Sequence, residues 1–309
     1  MINYQPNKNW LRDLSHIYEN TTMRKILLAV AGIGLATALL CVIVDYFDLH
    51  GALRMGSGVY SLLGIALSIV LAFRTNTAYD RWWEGRKQWG SLVNNCRNLA
   101  IMLHAALPEE DKETRKFFAK HISNFCIAFK EHLRDGAQVQ ELILMKPEER
   151  ALYATKNHIP NYITFVLYNR VEQAYRNGEI KDMDFLNIKP QITALLDILG
   201  ACERIKKTPI PFSYAIYIKM FIIFYGLFLP LGLVEDFGYW TIPMTMIVFF
   251  AFVGLELMAE EIEEPFGNDN NDLPTANIAH TIKNNVFEIL EARNPVVDSK
   301  TATDYNDIH

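Results

Sequence analysis

The sequence predicts an all-α membrane protein with four spanning helices and a helical cytosolic region between the second and third spans. Three observations carry that expectation. Apolar residues gather into long, nearly uncharged blocks toward the two ends. The charge-rich middle spaces its apolar residues at helical intervals, with no strand-like alternation. Lys and Arg gather on one side of the blocks, apart from a lone Arg54. Bulk composition decides little: 309 residues, 50% hydrophobic and 21% charged with a net charge of -5, would also suit a soluble protein. No basic stripe is present, so no nucleic-acid partner is expected.

The first block, Leu27 to Val44, contains no charge and predicts a span over about 26–47. Gly51 and Gly56 mark the break after it. Ser57 to Phe73 is again uncharged and predicts a second span over about 57–74. It is the shortest block, so it is the one expected to face protein or a pore. Tyr214 to Val234 is apolar apart from Lys219 and predicts a span over about 213–234. Trp240 to Leu257 is apolar apart from Glu256 and predicts a span over about 239–258. A hydrocarbon core of ~30 Å takes about 20 helical residues, which the first, third and fourth blocks supply. Tyr46, Tyr60, Tyr214, Tyr239 and Trp240 at the block edges suit the aromatic belt of a membrane interface.

Basic residues orient the spans. Arg12, Arg24 and Lys25 precede the first block, Arg74, Arg81, Arg86 and Lys87 follow the second, and Arg204, Lys206 and Lys207 precede the third. Asp45, Asp48 and a lone Arg54 separate the first pair, and Glu235 and Asp236 the second. The excess of positive charge on cytoplasmic loops then places both termini and the middle in the cytoplasm. The polar start with Lys8, Trp10, Arg12 and Asp13, and the long apolar run after it, do not read as a signal peptide.

The middle, about 75–208, reads as a helical bundle continuous with the membrane helices. Pro108-Glu109-Glu110-Asp111 is a helix opening, with acids over the positive end of the dipole. Phe117, Phe118, His121, Ile122, Phe125 and Phe129 form an apolar face at helical spacing. Pro160 starts a further helix that Gly178 ends, and Ile188, Ile192, Leu195, Leu196 and Leu199 form another face. The whole of 1–309 is expected to act as one unit, with a polar, disordered tail over 296–309.

Chemistry of the enzymatic kind is sparse. No phosphate-binding loop, nucleophile elbow or paired-histidine zinc motif occurs, and no histidine lies within an apolar block. His104, His121 and His132 are expected to pack or face solvent. Cys41, Cys96, Cys126 and Cys202 lack zinc or disulfide spacing and are expected to be reduced and packed. The sequence therefore points away from an enzyme.

Two stretches remain. Arg81-Trp82-Trp83 follows the second block, within Ala72 to Arg86. Pro265-Phe266-Gly267-Asn268-Asp269-Asn270-Asn271-Asp272 follows the fourth. Their pairing, the order of spans, and Thr208-Pro209-Ile210-Pro211-Phe212 before the third span resemble the bestrophin family, in its prokaryotic branch, from about Trp10 to Pro295. The resemblance implies a homopentamer around one central pore. It implies passive conduction of monovalent ions with chloride favoured, and sodium or potassium conduction as the alternative. Carried over residue by residue, the neck of the pore falls on Ile65, Ile69 and Phe73, four residues apart. Three apolar rings of that kind can gate by dewetting. A second, cytosolic constriction falls on Met183 or nearby, up to Leu186. The acidic turn holds calcium in animal members, which makes Asp269 and Asp272 the candidate calcium ligands here. Glu256, Glu260, Glu261, Glu263 and Glu264 read either as a solvated helix face or as a negative vestibule. A membrane-anchored scaffold or receptor without a pore is the reading from another class. The bilayer, further copies of the chain and permeant inorganic ions are the expected partners.

Overall fold

In a computed structural model, residues 21–48, 57–134, 136–269 and 271–292 are described. The basic start from Lys8 to Asp13, the Gly51–Gly56 break with Arg54, Asn270 and the 296–309 tail lie outside the described residues. Every regular element among the described residues is helical: α1 (Thr21–Tyr46), α2 (Ser57–Ala106), α3 (Lys112–His132), α4 (Pro147–Ala154), α5 (Ile159–Arg176), α6 (Asp182–Lys207), α7 (Phe212–Phe237), α8 (Thr241–Glu263) and α9 (Thr275–Ile289), with 3-10 turns at Val139–Glu141 and Gly238–Trp240. They divide into two compact units. One is built from the described residues up to Trp82 and Pro209–Glu264, the other from Trp83–Thr208 and the described residues from Pro265 onward. α2 contributes its first part to the former and the rest to the latter.

The apolar unit holds the four sequence blocks. Among the described residues, three helical stretches are long and apolar enough to cross a membrane: α1, α2, and α7 with α8 joined through the Gly238–Trp240 turn. At 1.5 Å per residue the 26 residues of α1 reach about 39 Å, more than a hydrocarbon core requires. α1 packs on α7 and α8, and α7 on α8. Ile26, Val30 and Ile33 of α1, Tyr60, Leu67 and Leu71 of α2, Ile218, Ile222, Tyr225 and Leu229 of α7, and Phe249 of α8 share one core. Small residues let the backbones approach, as membrane helix contacts require. A Cβ on Gly226 would sit 2.6 Å from Phe249 Cδ2, and one on Gly64 the same distance from Tyr225 Oη. The other small residues in this part of α2, Gly58, Ala66, Ser68 and Ala72, are exposed in the single chain.

The polar unit follows the apolar faces read from sequence. Phe118, Ile122, Phe125 and Phe129 of α3 are fully buried, while Phe117 is only half-buried. Trp89 of α2 stacks on Phe129 with ring centroids 5.1 Å apart. α3 packs on α5 and α9, and α5 on α6. Ile188, Ile192, Leu195 and Leu199 of α6 are buried, but Leu196 turns outward. The predicted openings are close to the observed ones. Asp111 caps α3 by accepting from Thr114 N at 3.0 Å. α5 begins one residue before Pro160, and Gly178 lies just past its end at φ +73, where a side chain would be strained. α4 and α9 are short amphipathic helices that the sequence reading did not pick out. All four cysteines are free and buried.

Candidate functional site

α2 presents two opposed faces within the apolar unit. Leu67, Leu71, Arg74 and Ala78 are buried to 1% exposure or less. Ile65, Ile69 and Phe73 are exposed by 60%, 53% and 65%. At about 100° per residue, Leu62, Ile65, Ile69, Phe73, Asn76 and Asp80 all fall within an arc of about 80°. Each of the six is exposed. The residues on this stripe change from apolar to polar after Phe73. The helix therefore offers four large apolar side chains, then an amide and a carboxylate, along one outward line.

Arg74, next to Phe73, faces the other way and is buried. Its Nη2 donates to Glu263 Oε2 at 2.7 Å, and its Nε lies 3.5 Å from Glu256 Oε2. Glu263 Oε1 accepts from Ile210 N at 2.7 Å, and the Glu263 carbonyl accepts from Arg81 Nε at 3.1 Å. Glu256 and Glu263 are thus buried partners of an arginine and belong to neither a solvated face nor a vestibule lining. Glu260 meets Lys219 at 2.9 Å, and Glu261 accepts from Thr22 at 2.6 Å. The sequence reading counted Arg74 only as a flanking positive charge. Its burial is set by tertiary packing and not by any pattern within the apolar block.

The family-motif residues divide between the units. Arg81 closes the end of α8 as described, and Trp82 stacks on Tyr79 at 6.3 Å. Trp83 is exposed. In the polar unit, Pro265 and Phe266 are buried against Gly85. A Cβ at Gly85 would meet two Phe266 ring atoms at 3.1 Å, so glycine makes room for that ring. The Phe266 carbonyl accepts from Arg134 Nε at 3.3 Å, and the Pro265 carbonyl from Leu273 N at 2.9 Å. Asp272 is buried, and its Oδ2 accepts from Asp269 N at 2.6 Å, while the Asp269 side chain is exposed. A Cβ at Gly267 would come within 2.8 Å of that Oδ2. Met183 and Leu186 stand exposed in the first turns of α6.

A cluster that the sequence did not flag lies in the polar unit. His132, His158 and Glu203 converge, with both Nε2 atoms on Glu203 Oε1 at 2.6 and 2.9 Å. Burial would raise the Glu203 carboxyl, but hydrogen bonds from His158, His132 and Lys207 outweigh it and carry it down to about 2. His132 is held below its usual value, chiefly by burial, with Glu203 acting in the opposite sense. No motif spacing links residues 132, 158 and 203, so only the fold brings them together.

The family described as Bacterial/Fungal Bestrophin protein matches residues 1–288. The chain belongs to the bestrophin family. Among bestrophin relatives, a voltage-dependent anion channel-forming protein of Nostoc is 38% identical over 229 residues, 73% of this chain and 75% of that one. One from Escherichia coli K12 is 28% identical over 286 residues, 92% and 93% of the two chains. A crystal structure of a mutant bacterial bestrophin homologue from Klebsiella pneumoniae superposes with a TM-score of 0.80 at 28% identity, covering 86% of this chain and 98% of that one. The helical membrane architecture expected from the sequence is therefore the bestrophin one.

Proposed function

We propose that this chain is a subunit of an oligomeric anion channel in which copies of α2 surround one pore, with Ile65, Ile69 and Phe73 as its neck. The carrying observation is the exposed stripe of α2, opposite a face that is already buried, in a chain of the bestrophin family. Large apolar side chains standing out from a helix in a row call for lipid or another copy to cover them. The names of the Nostoc and Escherichia coli relatives support anions as the cargo. Five copies, chloride as the ion and dewetting at the neck follow from the family resemblance. Passage is passive and needs no bond to be made or broken, which agrees with a protein that is not an enzyme. The basic flanks support a cytoplasmic membrane location with both termini inside. Met183, with Leu186 three residues on, supplies side chains suited to a second constriction.

Calcium at the acidic turn is a separate proposal. Hard cations take six to eight oxygen ligands. Asp269 and Asp272 would supply two carboxylates, and backbone carbonyls and water the rest. An ion there would share Asp272 Oδ2 with the Asp269 amide.

One observation favours conduction of monovalent cations. Asp80 lies on the same stripe as the neck, two helical turns beyond Phe73, and is exposed. Repeated round an axis, it would put a ring of negative charge at one mouth. Reversal potential under a KCl gradient, with purified protein in a planar bilayer, decides between these readings. Reversal near the chloride equilibrium potential is expected. The opposite sign would make the channel cation-selective. Absence of current, from this chain and from its Ile65/Ile69/Phe73 triple alanine variant alike, would leave a scaffold without a pore.

A further inference from the structure

We propose that His132, His158 and Glu203 form a binding site for a borderline divalent cation of the zinc class. The three side chains come from three helices. His132 is the last residue of α3, His158 caps the start of α5, and Glu203 lies in α6. Their ligand atoms all lie within 4.8 Å of one another. The two imidazole rings face each other with centroids 4.3 Å apart. Each side chain is 20 to 30% exposed, so an ion can reach them from solvent.

Two imidazole nitrogens and one carboxylate oxygen are a ligand set that zinc takes with its fourth position open. Bonds of about 2.0–2.2 Å place tetrahedral ligands about 3.4 Å apart. The nitrogen–oxygen separations of 2.6 and 2.9 Å thus need to widen by less than about an ångström. The imidazole pair selects against calcium and magnesium, which take all-oxygen shells. This separates the site from the acidic turn at Asp269 and Asp272. His132 also lines an open cavity of about 490 Å³ with Gln138, Gln140 and Asn157, which gives water room to complete the shell.

Two neighbours compete with an ion, and both can yield. Lys207 Nζ sits 3.1 Å from Glu203 Oε2, so it uses the other carboxylate oxygen, and its side chain is mostly exposed. Asn161 N donates to His158 Nδ1 over a long 3.4 Å. Coordination through Nε2 moves the ring proton to Nδ1 and gives up that bond. In exchange the ion ties the end of α3 to the start of α5 and to α6.

The test uses the full chain in detergent, stripped with a chelator and dialysed. Calorimetric titration with ZnCl2 should show one saturable ion per chain, and CoCl2 should give the intense visible absorption of a tetrahedral cobalt centre. His132→Gln, Glu203→Gln and His158→Asn should each weaken zinc binding by about 100-fold or more, beyond the loss typical of outer-shell changes. His158→Asn retains a good helix cap, so its helix content should match the parent. Absence of saturable binding, unchanged affinity in all three variants, or the weak spectrum of octahedral cobalt would each overturn the site. So would displacement of zinc by an equal concentration of CaCl2.

Discussion

His121 shows how one residue changes meaning between sequence and structure. On the α3 face it reads as one more packing group, and it is indeed only 2% exposed. Burial pushes its imidazole down to about 4, helped by Lys120 and opposed by the Phe117 carbonyl and Glu149. The unfolded ring titrates near 6.5, so between these values the unfolded chain binds more protons and stability is lost as the pH is lowered. A difference of that size amounts to roughly 3 kcal/mol once pH is below both values. Glu149 and Asp111 are shifted below the usual carboxylate range, so their contributions are lost only at lower pH. His132 shifts in the same sense as His121. Thermal melts at pH 7.5 and pH 5 should therefore show a marked loss at the lower value. His121→Gln should reduce that loss, and an undiminished one would remove His121 as its source.

At the scale of elements, the decisive feature is the division of α2 into two faces. The buried one places Arg74 against Glu256 and Glu263 of α8, and the exposed one carries the neck candidates. An ion pair this deep adds little over an apolar packing of the same shape, but breaking it leaves charge without a counterion. Arg74→Met should therefore destabilise the apolar unit by about 3–5 kcal/mol. Adding Glu256→Gln to Arg74→Met should recover part of that by removing one orphaned carboxylate. Melting temperatures of the two variants check this, and an equal or lower value for the double variant would contradict the clamp.

For the whole molecule, the stripe of Ile65, Ile69 and Phe73 matters only when copies assemble. If the stripe lines a pore, Ile65→Ala, Ile69→Ala and Phe73→Ala together should raise single-channel conductance several-fold by wetting the neck. The mass of the detergent-solubilised assembly should stay the same. If the stripe faces lipid, the same three changes should leave conductance alone. A lowered mass would mean that these residues hold subunits together without lining their pore.

By itself, the sequence determined the helical class, the apolar blocks, several helix openings and the family, because these depend on local composition, capping and short motifs. Asp111 before α3, Pro160 in the first turn of α5 and Gly178 just past its end each act within one turn of chain, so they were legible. The neck candidates Ile65, Ile69 and Phe73 came only from the resemblance. The whole second block is apolar, and no periodicity could choose its outward face. Burial of Leu67, Leu71 and Arg74 made that choice, since it depends on what α1, α7 and α8 bring alongside. The fate of the acidic residues after the fourth block was likewise a tertiary matter. Glu256 and Glu263 turned to Arg74, while Glu260 found Lys219. The meeting of His132, His158 and Glu203 was the least legible of all. It joins three helices across 71 residues of chain, and only their packing decides that two imidazoles share one carboxylate oxygen.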